Sequence, residues 1–105
     1  MKILFICNQN KNRSKMAEVL FRKKFSTKSA GLYNNTPVNR KQIDWADVII
    51  TMEEDQGDEI ARRFPVEYLS KRVLCLNIPD VYNYGNSDLK KVLIEKLSNY
   101  ASLLN

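Results

Sequence analysis

Apolar residues fall into short continuous blocks separated by stretches with helical spacing. Ile3-Leu4-Phe5-Ile6 is an unbroken apolar run within Lys2 to Ile6. Such a run predicts a strand covered on both faces, as in a parallel sheet. From Ser14 onward, Ala17, Leu20, Phe21 and Phe25 recur at helical intervals. Phe25 to Ser29 reads as a weaker second strand, ended by Ala30-Gly31 and followed by a loop over 32–35. Thr36-Pro37 predicts a helix start, with threonine as cap and proline at the first helical position. That helix is expected to run to about Trp45. Asp47-Val48-Ile49-Ile50-Thr51-Met52 predicts another buried strand. Glu53 to Phe64 predicts a helix with acids at its N-terminus, where the backbone dipole favours them. Gly57 weakens it and Pro65 stops it. Arg72 to Ile78 predicts a fourth strand, ended by Pro79. Ser87 is the expected cap of a last helix with Leu89, Val92, Leu93, Leu97, Tyr100 and Leu104 along one face. Asp88 fits the first turn of that helix. The order is βαβαβαβα, which implies an α/β fold with a parallel sheet and right-handed crossovers. No repeat or linker interrupts it.

Length and composition narrow the picture. The 105 residues suit one domain over 1–105 and are too few for two. No apolar run approaches a membrane span, and no signal peptide is evident at Met1-Lys2, so a cytoplasmic protein is expected. Cys7 and Cys75 then read as free thiols in a reducing compartment. Cys75, between Leu74 and Leu76, is expected in the core. The chain has no histidine, which excludes His-based metal sites and Cys-His or Ser-His catalysis. No metal or cofactor is called for. Charge is unevenly spread. Residues 1–28 hold eight Lys/Arg against Glu18 alone, whereas residues 44–59 hold seven acids and no base. A basic end of this kind attracts anions.

One stretch stands out against this background: Cys7-Asn8-Gln9-Asn10-Lys11-Asn12-Arg13-Ser14. It leaves the first strand and enters the first helix. Ligands of parallel sheets bind beyond the carboxyl ends of strands, so this is where a functional loop belongs. Backbone N–H groups of residues 8–14 can point inward at a helix N-terminus and cradle a phosphate-like anion. The same field favours a Cys7 thiolate. Arg13 offers a planar fork for two phosphoryl oxygens. Ser14 can donate a hydrogen bond to the sulfur. Alone, Cys7 would read as a small buried apolar residue and Arg13 as a surface residue. Together, at this spacing, they predict a nucleophile beside an oxyanion site.

The pattern Cys-x5-Arg-Ser after the first strand resembles the low-molecular-weight protein tyrosine phosphatases. Asn10 matches the loop asparagine whose left-handed turn shapes the phosphate cradle. Ser29-Ala30-Gly31, Asp47 to Met52 with the following acid, and Tyr84-Gly85-Asn86-Ser87-Asp88 agree in order, so the likeness spans nearly the whole chain. It implies a three-layer sandwich with a four-stranded parallel sheet in the order 2-1-3-4. It implies phosphomonoester hydrolysis through a phosphocysteine on Cys7. It also implies a general acid near the end of the fourth strand, for which Asp80 in Pro79-Asp80-Val81-Tyr82 is the candidate. Tyr33, Tyr82 and Tyr84 are candidate aromatic walls for a substrate ring. The chain departs from the family in having Gln9 where glycine is usual and Asn12 where many members have a second cysteine. It is also shorter between Gly31 and Asp47, as in a compact bacterial branch of the family.

The expected substrate is a phosphotyrosine protein or a small phosphomonoester, with a nucleotide or RNA end as a variant. Three other readings stand beside this one. A thiol-dependent arsenate reductase would need more cysteines than Cys75 provides. A phosphocarrier domain would not need Arg13 or an acid. A non-catalytic anion or nucleic-acid binder would use the basic end, although no nucleic-acid motif accompanies it.

Overall fold

The computed structural model describes residues 1–104, so the last residue of the expected domain lies outside the described residues. The apolar run forms β1 (Lys2–Cys7), flanked by parallel β2 (Ser26–Gly31) and β3 (Val48–Thr51). β4 (Arg72–Cys75) pairs in parallel with β3, giving the strand order β2-β1-β3-β4 expected from the resemblance. Alternation along β1 decides the two packing faces, because successive side chains point to opposite sides of a sheet. Ile3, Phe5 and Cys7 face a layer made by α1 (Arg13–Phe21) and α5 (Ser87–Ser98), with Ala17, Leu89, Leu93 and Leu97 buried against them. Leu4 and Ile6 face α2 (Arg40–Trp45) and α3 (Glu54–Arg63), where Ile43 and Ile60 are buried. Two further short helices, α4 (Pro65–Ser70) and α6 (Ala101–Leu104), complete the described chain. None of its helices is long and apolar enough to cross a membrane.

Several expected boundaries move, each for a local reason. The helix expected at Thr36-Pro37 begins at Arg40 instead, because Asn39 and Gln42 form a reciprocal capping box. Val38 is held outside it by an N–H bond to the Gly31 carbonyl. Pro65 stops α3 as expected but also opens α4, at a position where a missing N–H costs nothing. The cap of α5 is Asn86 rather than Ser87, its side chain accepting from the N–H groups of Asp88 and Leu89. The fourth strand is shorter than expected. Beyond Cys75 the chain stays tied to β3 through Leu76 N–H to the Thr51 carbonyl and Ile78 N–H to the Met52 carbonyl. Cys75 itself is only half buried, because β4 is an edge strand.

Candidate active site

The sheet's order reverses at β1, whose neighbours are β2 on one side and β3 on the other. The chain leaving β1 therefore enters a crevice between the two flanking crossovers. Cys7 ends β1 and is 4% exposed. Three residues on, Asn10 takes the left-handed conformation at φ 56°, which asparagine tolerates better than most residues. That turn aims the Asn10 N–H back at the Cys7 sulfur, 3.2 Å away. Gln9 is not among the positive-φ residues, so the lack of glycine there strains nothing. The Ser14 hydroxyl, on the first turn of α1, lies 2.9 Å from the same sulfur and donates to Asn10 Oδ1 at 2.8 Å. A hydroxyl has one proton. With that proton on Asn10, the Cys7 thiol donates to Ser14. By turning its proton toward sulfur, Ser14 would add a second donor to the Asn10 N–H at Cys7.

Neighbouring strands hold the loop in place. Leu32 N–H donates to the Cys7 carbonyl and Tyr33 N–H to the Asn8 carbonyl. This approach depends on Gly31, where a Cβ would lie 2.9 Å from the Asn8 carbonyl oxygen. From the other side, Gln56 donates to Asn8 Oδ1 at 3.2 Å. The same Gln56 side chain accepts from the N–H groups of Met52 and Glu53. Asn12 makes no side-chain cap on α1. It accepts instead from the Tyr84 N–H at 2.9 Å, tying the loop to the segment before α5.

Arg13 is 2% exposed, an unusual fate for an arginine. Its Nη1 donates to Glu53 Oε1 at 2.6 Å and to the Ile78 carbonyl at 2.7 Å. Its Nε lies 3.8 Å from Asp80 Oδ1. Cys7, Gln9, Lys11, Asn12, Arg13 and Asp80 together line a cavity of about 120 Å³. The thiol, the guanidinium and the carboxylate picked out in the sequence thus share one space, although Cys7 and Asp80 lie far apart in the chain. A larger cavity of about 200 Å³, between the end of α1 and the α5–α6 layer, is mostly apolar and holds none of these groups.

The three tyrosines are placed differently from one another. Tyr82 packs against the α1–α5 core. Tyr33 and Tyr84 are 56% and 51% exposed, and their backbones are bonded to the loop at Asn8 and Asn12 respectively. Tyr33 is braced by Arg63, whose guanidinium lies 5.2 Å from the ring centre. Arg63 also donates to the Leu32 carbonyl and to Glu59. None of the three rings lines the cavity itself. Among the described residues, no group of three Asp, Glu or Cys side chains is placed to hold a metal ion.

Two site residues carry no role in the sequence reading. Glu53 pairs with Arg13, and Gln56 anchors Asn8. A signal for both exists: Glu53 and Gln56 have capping-box spacing directly after the β3 strand end. What that spacing does not tell is that the box faces the Cys7 loop.

No protein-family model matches the chain, and no curated protein matches it. Solved structures do. The YwlE arginine phosphatase from Geobacillus stearothermophilus is 21% identical, with a TM-score of 0.72, over 97% of this chain and 93% of that one. The tyrosine phosphatase Wzb from Escherichia coli K30, in complex with phosphate, is 20% identical, with a TM-score of 0.78, over 99% and 98%. SP-PTP, a low molecular weight protein tyrosine phosphatase from Streptococcus pyogenes, is 15% identical, with a TM-score of 0.80, over 99% and 93%. The fold is that of the low-molecular-weight protein tyrosine phosphatases.

Proposed function

We propose that this chain is a cysteine-dependent phosphomonoester hydrolase acting on phosphotyrosine in proteins in a reducing cytoplasm. A fold alone does not carry an activity. The supporting observation is the convergence of the Cys7 sulfur, Arg13 and Asp80 on one cavity at the carboxyl end of β1. The sulfur already has two hydrogen-bond partners there, Ser14 and the Asn10 N–H.

In the proposed reaction the phosphoryl group enters the loop formed by Asn8, Gln9, Asn10, Lys11, Asn12, Arg13 and Ser14. The Cys7 thiolate attacks phosphorus, the P–S bond forms and the P–O bond to the leaving group breaks. Asp80 gives its proton to the departing oxygen. Water then attacks the phosphocysteine, Asp80 takes back a proton, the P–S bond breaks and inorganic phosphate leaves. Ser14 steadies the thiolate both as nucleophile and as leaving group. Arg13 and the loop N–H groups hold the charge that gathers on the equatorial oxygens. Tyr33 and Tyr84, exposed and bonded through their backbones to the loop at Asn8 and Asn12, are the aromatic residues nearest in chain contact to serve an aryl leaving group. No step calls for a metal.

Hydrolysis of p-nitrophenyl phosphate with EDTA present tests this reading. Wild type should turn over and Cys7→Ser should not. Asp80→Asn should lose far more rate on an alkyl phosphate, whose leaving oxygen needs a proton, than on p-nitrophenyl phosphate. An active Cys7→Ser protein would sink the mechanism. A single stoichiometric phosphorylation of Cys7 without turnover would mark a carrier instead. Faster turnover of nucleotides or RNA ends than of phosphotyrosine peptides would move the substrate away from proteins.

A further inference from the structure

The Cys7 loop uses only part of the basic block at the start of the chain. Arg22, Lys23 and Lys24 lie in the turn after α1, and all three are exposed. Among the described residues, none of them takes part in a salt bridge with Asp or Glu. Lys24 lines the apolar cavity of about 200 Å³, whose walls are Phe21 and Phe25 on one side and Ile94, Leu97 and Leu104 on the other. No Asp or Glu among the described residues lines it. The Lys24 ammonium lies 5.6 Å from the centre of the Phe25 ring, at the edge of the apolar wall. Ile94 is 47% exposed there, an apolar side chain without cover. The opposite wall is pinned to β4. Arg72 Nη1 donates to the Leu103 carbonyl at 2.8 Å, and the Tyr100 hydroxyl to the Cys75 carbonyl at 2.9 Å. A cavity of about 150 Å³ holds a benzene ring, so this one has room for one large apolar side chain. It sits at the C-terminal end of α1, about 12 Å along the helix from Arg13.

We propose that this end of the molecule docks an acidic segment of a partner protein. One apolar side chain of the segment fills the cavity, and flanking carboxylates meet Arg22, Lys23 and Lys24. Charge selects the occupant. An apolar cavity alone would take any hydrophobic group, but cations on its rim favour an anchor with acids beside it. Its concave shape suits a single anchor, whereas a membrane surface calls for a broad apolar helix face. The cavity shares no residue with that of Cys7, so docking leaves the Cys7 loop open and needs no chemistry there.

The probe is a fluorescein-labelled acidic peptide with one phenylalanine between aspartates and glutamates, titrated with the full chain and read by anisotropy. It should bind saturably, and no binding overturns the proposal. Alanine in place of the peptide's phenylalanine should weaken binding at least about tenfold, through lost burial of the ring. Lys24→Glu and Ile94→Glu, both at exposed positions, should each weaken it about tenfold or more. Lys41→Glu makes the same charge change at an exposed site on α2, across the sheet, and should stay within about twofold. At roughly 0.5 M salt the peptide should bind more weakly, with the advantage of phenylalanine over alanine retained. Equal losses in Lys24→Glu and Lys41→Glu would mark diffuse attraction by net charge and overturn the proposal. Displacement by inorganic phosphate at constant ionic strength would put the peptide in the Cys7 loop and overturn it too. Binding to phosphatidylserine vesicles but not to the peptide would make the occupant a lipid surface. Self-association in sedimentation that Ile94→Glu abolishes would make it a second copy of this chain. Either result replaces the acidic partner and overturns the proposal.

Discussion

Two strands of the same sheet end in cysteine, and each cysteine is followed by an asparagine in the left-handed region. After β1 come Cys7 and Asn10, at φ 56°. After β4 come Cys75 and Asn77, at φ 55°. The residue types match, yet the outcomes differ. Cys7 ends a central strand and is buried, with Ser14 and the Asn10 N–H on its sulfur. Cys75 ends an edge strand, is half buried, and its thiol donates only to Asn77 Oδ1, at 3.3 Å. What separates them is what the next residues must do. After Cys7 the chain turns into a helix whose first residues are Arg13 and Ser14, so the turn converges on sulfur. After Cys75 it runs on to Pro79, and the turn at Asn77 leads to the Ile78 carbonyl that receives Arg13. One end supplies the chemistry and the other positions a group for it.

The sharpest way to break this comparison is to exchange both thiols for hydroxyls. Cys7→Ser should lower kcat on p-nitrophenyl phosphate by at least about a thousandfold. Cys75→Ser should stay within about twofold, since its sulfur faces no cavity of the site. Comparable losses in the two variants would mean that β4 carries chemistry too.

Removing the support of Arg13 comes next. Glu53→Gln leaves a guanidinium that is 2% exposed without its closest carboxylate. Glu53 is itself one-third exposed, so the cost should be about 2 kcal/mol, below that for a wholly buried pair. Urea unfolding reads it. A midpoint equal to that of wild type would show that the Ile78 carbonyl and the more distant Asp80 carboxylate suffice for Arg13.

The two asparagines can then be separated. Asn77→Ala should destabilise the protein by about 1 kcal/mol relative to Asn77→Gly, because a Cβ is disfavoured at positive φ. At Asn10 glycine should relieve the backbone but not restore kcat, because it removes the Oδ1 that accepts from Ser14. Full activity in Asn10→Gly would reduce that side chain to a turn former.

The smallest effect lies one layer out. Hydrogen bonds from Arg62 and Arg63 lower Glu59 from 4.5 to about 2. Its folded value lies below its unfolded one. Its contribution is therefore present above pH 4.5 and is lost as pH falls through about 2. Glu59→Gln should lower Tm slightly at neutral pH, with the gap to wild type closing near that lower value. A gap that persists below it would place the stabilisation elsewhere. Arg62 is exposed and Glu59 and Arg63 are only partly buried, so a small shift is expected. It bears on the site because Arg63 also holds the Leu32 carbonyl and braces Tyr33.

The chain order of Cys7, Arg13 and Ser14, the apolar runs of β1 and β3, and the βαβ alternation determined much of this protein before any coordinates. These are local signals: hydrophobic period, strand-to-helix transition, and reactive side chains within one loop. Helix starts were less legible. Thr36-Pro37 and Ser87 are good caps in isolation, but Asn39 and Asn86 make the bonds, because the start of a helix depends on where the preceding chain is tied. Only the tertiary structure decided that Glu53 would face Arg13, that Gln56 would hold Asn8, and that Gly31 would let the Asn8 carbonyl approach. It alone brought Asp80 to the cavity of Cys7. Each of these contacts joins elements whose sequence separation says nothing about distance: those of Glu53, Gln56 and Asp80 exist because β3 lies between β1 and β4, and that of Gly31 because β2 lies beside β1 in the same sheet.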